Sequence, residues 1–273
     1  MQGAMQGSSA DSLARLTDAL GTAIEGGADG AALGEGLFGA ADVLRAQPAL
    51  RRATTDPSMP AEAKRALATG VFGSHLDAAA TEIVGTAAGL RWTRSSDLGA
   101  ALEQLGVVAL VKAGDAKGEG DRIEDELFAF GRAVTENHDL RDALSDPGRS
   151  DADKQALVRG LLEGRASDGS IRLAERSVSG AHLTVTRAIG EYAKIAAGTR
   201  NRLVALVRAA RPLGDDEQQR LGEVLSRQYD RPVHINVVVE PALVGGVRVE
   251  IGDQVIDGTI ASRLDDARRR LVG

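Results

Sequence analysis

The residues able to do chemistry are few and scattered. Asp253 and Asp257 come nearest to a carboxylate pair. A working dyad or metal site needs convergent partners, and histidine is the usual one. Here the two acids straddle a turn signalled by Gly252-Asp253, and no histidine is near. Turn chemistry and capping are therefore their expected roles. Gly245-Gly246 precedes a strand pattern, not a helix, and lacks the G-x-G-x-x-G spacing of a phosphate cradle. A backbone turn with positive φ is the expected use of that pair. His75, His138, His182 and His234 show no H-x-x-x-H spacing. Ser145 to Ser150 contains no G-x-S-x-G elbow. Cysteine is absent, which excludes disulfides, thiolate metal ligands and thiol nucleophiles. The expectation is no catalytic residue, no cofactor and no metal.

Two other features invite a binding role. The basic end, Arg263 to Arg270, interleaves arginines with Asp265 and Asp266 and offers no aromatic for base stacking. A partner's acidic tail or plain solvent are both open as its counterpart. Arginine near a helix C-terminus is in any case favoured by the helix dipole. Trp92 is the single tryptophan, and a core anchor is its expected place. The net charge of −6 supplies no field that would gather nucleic acid or anionic lipid. Leu105 to Ala113 is the longest apolar run; it is too short to span a bilayer and contains Lys112. The start, Met1 to Ala10, has neither the basic stretch nor the apolar core of a signal peptide. Its doubled Met-Gln-Gly suggests alternative start sites.

The elements that must carry these residues are mostly helical. Apolar residues make up 43% of the chain but aromatics only 3%, so the core is built from Ala, Leu, Val and Ile. That suits close helix packing in a globular protein. Arginine outnumbers lysine 28 to 5, a mark of a GC-rich genome more than of function. An internal repeat runs at an offset of 90 residues. Leu50-Arg-Arg-Ala-Thr-Thr-Asp-Pro57 lies over Leu140-Arg-Asp-Ala-Leu-Ser-Asp-Pro147, and Lys64, Ala66, Leu67 and Gly70 lie over Lys154, Ala156, Leu157 and Gly160. From position 50 to 73, nine of 24 residues match without a gap. The unit is too long for a solenoid repeat and reads as a duplicated domain.

Within the second copy, Ile123, Leu127, Phe130 and Val134 recur at helical spacing, with Asp121 and Glu124 as a capping-box pattern. Asp146-Pro147 breaks the chain, and Ser150 caps a helix whose stripe is Ala156, Leu157, Leu161 and Leu162. The first copy repeats this with Leu67, Val71 and Phe72. Gly70 and Gly160 fall inside the stripes, where close helix contact would justify them. Asp97 to Ala113 reads as one strong helix, placed to end one bundle and begin the next. Shared in that way, it would couple the copies rigidly.

After about Gly198 the texture changes. Leu203 to Ala210 suits a strand, and Asp215 is placed to cap a helix carrying Leu221, Val224, Leu225 and Gln228. Val233, Ile235, Val237 and Val239 alternate with His234, Asn236, Val238 and Glu240 as a second strand, and Val247, Val249 and Ile251 with Arg248 and Glu250 as a third. A turn at Gly252-Asp253 leads into Val255 and Ile256, and Ile260, Leu264 and Leu271 mark a last helix.

Val239-Glu-Pro-Ala-Leu-Val-Gly-Gly246 and its continuation to Leu264 resemble the C-terminal signature of the delta subunit of bacterial F-type ATP synthases. That pattern is a V-D-P-x-L-I-G-G turn, a V-x-I-G-D-x-V-x-D hairpin, then S-V-x-x-x-L. Glu240 stands for the usual aspartate and Thr259 for the usual serine. Upstream, Leu140 to Pro147 with Lys154 resembles the family's helical segment, and Arg208 to Glu217 its strand-to-helix junction. The family signature, structural in role, thus falls on Pro147, Lys154, Pro241, Gly245, Gly246, Gly252, Asp253 and Asp257.

The resemblance covers about residue 98 to the end, an ordinary delta subunit. The first 95 or so residues are extra, as in the enlarged actinobacterial form. A related version of that form is fused to a b-type stalk, but the apolar anchor of such a fusion is missing here. Periodicity and resemblance together predict a mainly α fold: a duplicated antiparallel helical bundle, then a small C-terminal α/β module with a β-hairpin. The expected parts are a flexible 1–10, a first helical copy at 11–97, a second at 98–200 and the α/β module at 201–273.

The resemblance implies a non-catalytic peripheral-stalk subunit. It would link the alpha (and beta) subunits of the catalytic head to the b-type stalk and resist rotor torque during proton-driven ATP synthesis. Its place would be the cytoplasmic side of the cell membrane, peripheral, with no direct membrane insertion and no nucleic acid. A generic helical adaptor with a duplicated bundle is the alternative.

Overall fold

The computed structural model describes residues 5–179, 184–200, 203–230, 232–243, 246–251 and 254–257. Helices α1 (Ser8–Glu25), α2 (Gly30–Ala46), α3 (Pro48–Thr55), α4 (Ala61–Phe72), α5 (Ala78–Gly89) and α6 (Ser95–Ala116) come first. After them come α7 (Gly120–Glu136), α8 (His138–Ser145), α9 (Asp151–Leu162), α10 (Asp168–Ser177) and α11 (Val185–Thr199). From α2 and α7 onward, each helix of the first set has a counterpart that starts 90 residues later. The 90-residue offset of the sequence repeat is therefore the offset of the helices themselves. Core positions repeat with it: Leu33 and Ile123, Leu37 and Leu127, and Leu44 and Val134 are all buried.

On this register α6 is the last helix of the first set and the counterpart of α1, the first helix of the second. Its burial pattern fits both duties. Leu98, Leu102, Leu105, Val107, Val108, Leu110 and Val111 are all buried, which covers every side of the helix. A helix that is apolar all round lies inside a core. Close approach to α2 is made possible by small residues. A Cβ on Gly106 would lie 2.4 Å from the Phe38 ring, and one on Gly34 would lie 3.0 Å from the Gly106 carbonyl. Both helical sets fall within one compact unit, Met1–Ile195, and the remainder forms a second, Ala196–Gly273.

Several local expectations change. Gly70 and Gly160 face open space, with nothing within 4 Å of a Cβ at either. The buried face of α4 runs through Lys64, Ala68 and Phe72, and that of α9 through Lys154 and Val158. Leu67 and Leu157 are only half-buried, and Leu161 is exposed. The stripe is rotated because a lysine stem is apolar along its length and can lie in a core when its ammonium finds an acceptor. Asp121 is not the cap of α7: the helix begins at Gly120, and no side chain caps it. Ser150 does cap α9, accepting from the Asp153 N–H at 3.1 Å. Trp92 is half-buried against the first core and donates from Nε1 to the Ala87 carbonyl at 2.9 Å. Ser8–Ala10 already belong to α1, and Ser9 is buried.

The second unit contains β1 (Leu203–Ala209), α12 (Asp215–Tyr229), β2 (Val233–Val239), β3 (Val247–Ile251) and β4 (Gln254–Asp257). The strand order is β2-β1-β3-β4. β1 and β2 pair in parallel across the α12 crossover, while β1–β3 and β3–β4 are antiparallel. Ala205, Val207, Val249 and Ile251 pack with Leu225 in its core. Leu221 and Tyr229 join that core, whereas Val224 is exposed, so the inward face of α12 is shifted by one position from expectation. The N-cap of α12 is Gly214, with Asp215 as the first helical residue. The Glu217 carboxylate reaches back to accept from the Gly214 N–H at 3.0 Å. The expected terminal helix through Ile260, Leu264 and Leu271 lies outside the described residues, as does the basic end.

Candidate functional site

Of the described signature residues, Pro147, Pro241 and Gly246 sit at chain reversals, whereas Lys154 lies in α9 and Asp257 in β4. Asp146 ends α8 with ψ 116°, the extended conformation that the following Pro147 demands. Its Oδ1 accepts from the Gly148 N–H at 2.8 Å. Asp56 does the same in the first set, accepting from the Ser58 N–H at 2.8 Å. Bonds from the Ser58 hydroxyl and amide hold the Asp56 carboxyl below its ordinary pKa. Lys154 is buried on α9, and its counterpart Lys64 is buried on α4. Lys64 Nζ donates to the Leu90 carbonyl at 3.0 Å, satisfying the orphan end of α5. Burial, with Arg91 nearby, pushes the Lys64 pKa down.

In the α/β unit, Pro241 opens the turn after β2, where Leu243 N–H donates to the Glu240 carbonyl at 3.0 Å. Gly246 has φ 80°, the left-handed region that favours glycine. Asp257 lies in β4 opposite Arg248. Gly245, Gly252 and Asp253 lie outside the described residues. Arg208 holds Glu250 at 3.3 Å and Glu240 at 3.6 Å, tying three segments of the sheet region. Arg211 grips Glu217 with bonds of 2.7 and 2.9 Å. That grip, with the Gly214 N–H, lowers the Glu217 pKa to about 2. Among the described residues, the signature positions Pro147, Lys154, Pro241, Gly246 and Asp257 are spread over α9, two turns and β4.

His138 is engaged by Arg141, whose Nη2 lies 2.7 Å from its Nδ1. Among the described residues, no group of three or more His, Asp or Glu side chains is placed to hold a metal. No helix among them is long and apolar enough to cross a membrane. A shallow hollow of about 490 Å³ lies along α1, lined by Leu13, Ala14 and Thr17 with Gln104 of α6.

Sequence reasoning missed a buried polar cluster in the helical unit. Glu103 of α6 accepts from Arg176 Nε of α10 at 2.9 Å and from the Tyr192 hydroxyl of α11 at 2.5 Å. Arg176 also forks onto Asp42 of α2 with bonds of 2.6 and 2.8 Å. Its guanidinium lies over the Phe38 ring, 4.7 Å from the centroid. Burial works against the Arg176 charge, but its hydrogen bonds to the Glu103 and Asp42 carboxylates outweigh it and raise its pKa. Burial and then the Glu103 charge push the Tyr192 phenol up, so it stays a donor. Arg172 adds a pair with Glu35 at 3.2 Å, and Arg45 donates to the Ser179 carbonyl at 3.2 Å. The signal available in the sequence was Glu103 itself, a charge inside the apolar run of α6.

The family profile described as ATP synthase delta (OSCP) subunit matches residues 107–271. An ATP synthase subunit delta from Nocardioides sp. is 50% identical over 273 residues, covering 98% of each chain. Those of Kineococcus radiotolerans and Streptomyces coelicolor are 43% identical over 248 residues and 39% over 269, covering 90% and 98% of each chain. A chain of the Toxoplasma gondii mitochondrial ATP synthase hexamer, at 17% identity, covers 61% of this chain and 95% of that one, but with a TM-score of 0.36 it carries no weight. The Nocardioides and Streptomyces relatives align through α1–α5, which the family profile leaves outside. The chain therefore belongs to the ATP synthase delta (OSCP) subunit family, in its enlarged actinobacterial form.

Proposed function

We propose that this chain is a non-catalytic peripheral-stalk subunit of the F-type ATP synthase. In this role it links the alpha-subunit N-terminal helices of the catalytic head to the b-type stalk and resists rotor torque. Family membership over residues 107–271 carries the reading. The arrangement of side chains supports it: ionisable groups such as Asp56, Lys64, Glu103 and Glu217 are spent on turns, caps and ion pairs, which is what a mechanical part requires. Proton-driven synthesis would place the chain at the cell membrane, peripheral, on the cytoplasmic side, held there by its partners. Helix-in-groove binding is the mode a helical bundle offers such partners. The α/β module at about 201–273 is the proposed stalk-binding part, and the two helical copies, 11–97 and 98–200, the head-facing part.

The test is gel filtration of the full chain mixed with the catalytic head and, separately, with a soluble b-type stalk fragment. Co-elution with both is expected. Failure to bind either partner sinks the reading. A chain ending at Arg200 should keep the head and lose the stalk.

A further inference from the structure

The Glu103–Arg176–Asp42–Tyr192 cluster does not obey the repeat. Shifted by 90 residues, Glu103 becomes Leu13 in one direction and Ala193 in the other. Arg176 becomes Thr86, Tyr192 becomes Leu102 and Asp42 becomes Arg132. Phe38, the ring under Arg176, keeps its counterpart in Phe128. The apolar scaffold was thus copied, while the charged members occur only where the copies meet. Asp42 and Phe38 come from α2 of the first set, Arg176 and Tyr192 from α10 and α11 of the second, and Glu103 from the shared helix between them. Glu103 and Arg176 are both buried, at 7% exposure each.

Burying the Glu103–Arg176 pair is a poor route to stability, because desolvation cancels most of the attraction. What directional bonds add is register. Apolar contacts between helices tolerate sliding, whereas a guanidinium forked onto two carboxylates is satisfied in one arrangement only. We infer that the Glu103–Arg176–Asp42–Tyr192 cluster is a clamp that fixes the second helical copy in one orientation on the first. Nothing in the clamp depends on the stalk reading, since all its members lie within the unit Met1–Ile195.

The chain has no cysteine, so labels can be placed freely. Gly70→Cys and Gly160→Cys put spin labels at equivalent, open positions of α4 and α9 in the full-length protein. Pulsed dipolar spectroscopy should return one narrow distance. The apolar variant E103L/R176M/Y192F is expected to keep its helicity and thermal midpoint, because packed apolar groups replace buried ion pairs at little cost. Its distance distribution is expected to broaden roughly twofold or to split, because the copies then sample more than one packing. A distribution as narrow and as centred as the parent's, in the folded variant, overturns the clamp. A lowered midpoint with that same narrow distribution also overturns it, reducing the cluster to ordinary stabilisation. Should the triple variant not fold, Arg176→Met, which removes the fork itself, is read with the same labels, and an unchanged distribution in that folded protein is equally fatal.

Discussion

At the residue scale, single side chains in this protein close gaps that the backbone leaves open. Lys64 is the plainest case, since its ammonium satisfies the Leu90 carbonyl from inside the core. Lys64→Met keeps the apolar stem and removes the donor. It should cost ~1.5–3 kcal/mol in urea denaturation, the worth of a hydrogen bond with a charged partner. Glu126 does comparable work for α10: its carboxylate accepts from the Ser167 N–H at 2.8 Å and the Ser167 hydroxyl at 2.6 Å. Burial alone would raise the Glu126 pKa, but the Ser167, Ser170 and Arg122 bonds outweigh it and lower the value from 4.5. A carboxylate depressed on folding contributes stability that is complete above its unfolded pKa and is lost as pH falls through its folded one. Thermal midpoints should therefore drop more steeply below pH 4.5 for the parent chain than for Glu126→Gln. Parallel acid profiles would show that Glu126 carries no such share.

At the element scale, α6 decides how the helical unit is built. Its seam with α2 depends on residues with almost no side chain. Gly106→Ala would drive a Cβ into the buried Phe38 ring and should destabilise by ~1–3 kcal/mol, the usual cost of overfilling a packed core. Gly70→Ala is the control of opposite sign. It lies mid-helix in open space, so losing the glycine's freedom should stabilise by ~0.5–1 kcal/mol. Chemical denaturation of the two variants beside the parent reads both. The glycines looked alike in sequence, each inside an apolar stripe. Only packing separates them, because the same residue type is needed in one place and merely tolerated in the other. The rotated face of α4 teaches the same lesson. Periodicity places Leu67, Val71 and Phe72 inward; Phe72 is buried as expected, but the rest of the buried face is Lys64 and Ala68.

At the scale of the molecule, the shared helix makes the two copies interdependent, while the α/β unit has a core of its own. A chain ending at Arg200 should retain its helical circular dichroism and unfold in one transition. A fragment that begins at Lys117, and so lacks α6, should fail to fold, because α7 and α10 lose the helix they pack on. Independent folding of that fragment would show that α6 is a linker and not a common core. This arrangement suits the proposed stalk role, in which load must pass from one copy to the other without a hinge.

Much of this was legible from residues alone. The duplication, its 90-residue offset and the succession of strands and helix in the tail are one-dimensional facts, carried by spacing and period. So was the family, because the residues of the Val239–Leu264 signature stand together in one stretch of sequence. The Glu103–Arg176–Asp42–Tyr192 cluster was not legible. Its members lie up to 150 positions apart, as Asp42 and Tyr192 do, and apart from Glu103, a charge inside an apolar run, each alone reads as an ordinary surface or core residue. They become a cluster only when α2, α6, α10 and α11 pack, because burial and proximity are properties of the folded chain. That charges from α2, α6 and α10 converge on the join between the copies is what the tertiary structure decided, because only packing brings Asp42, Glu103 and Arg176 within bonding distance.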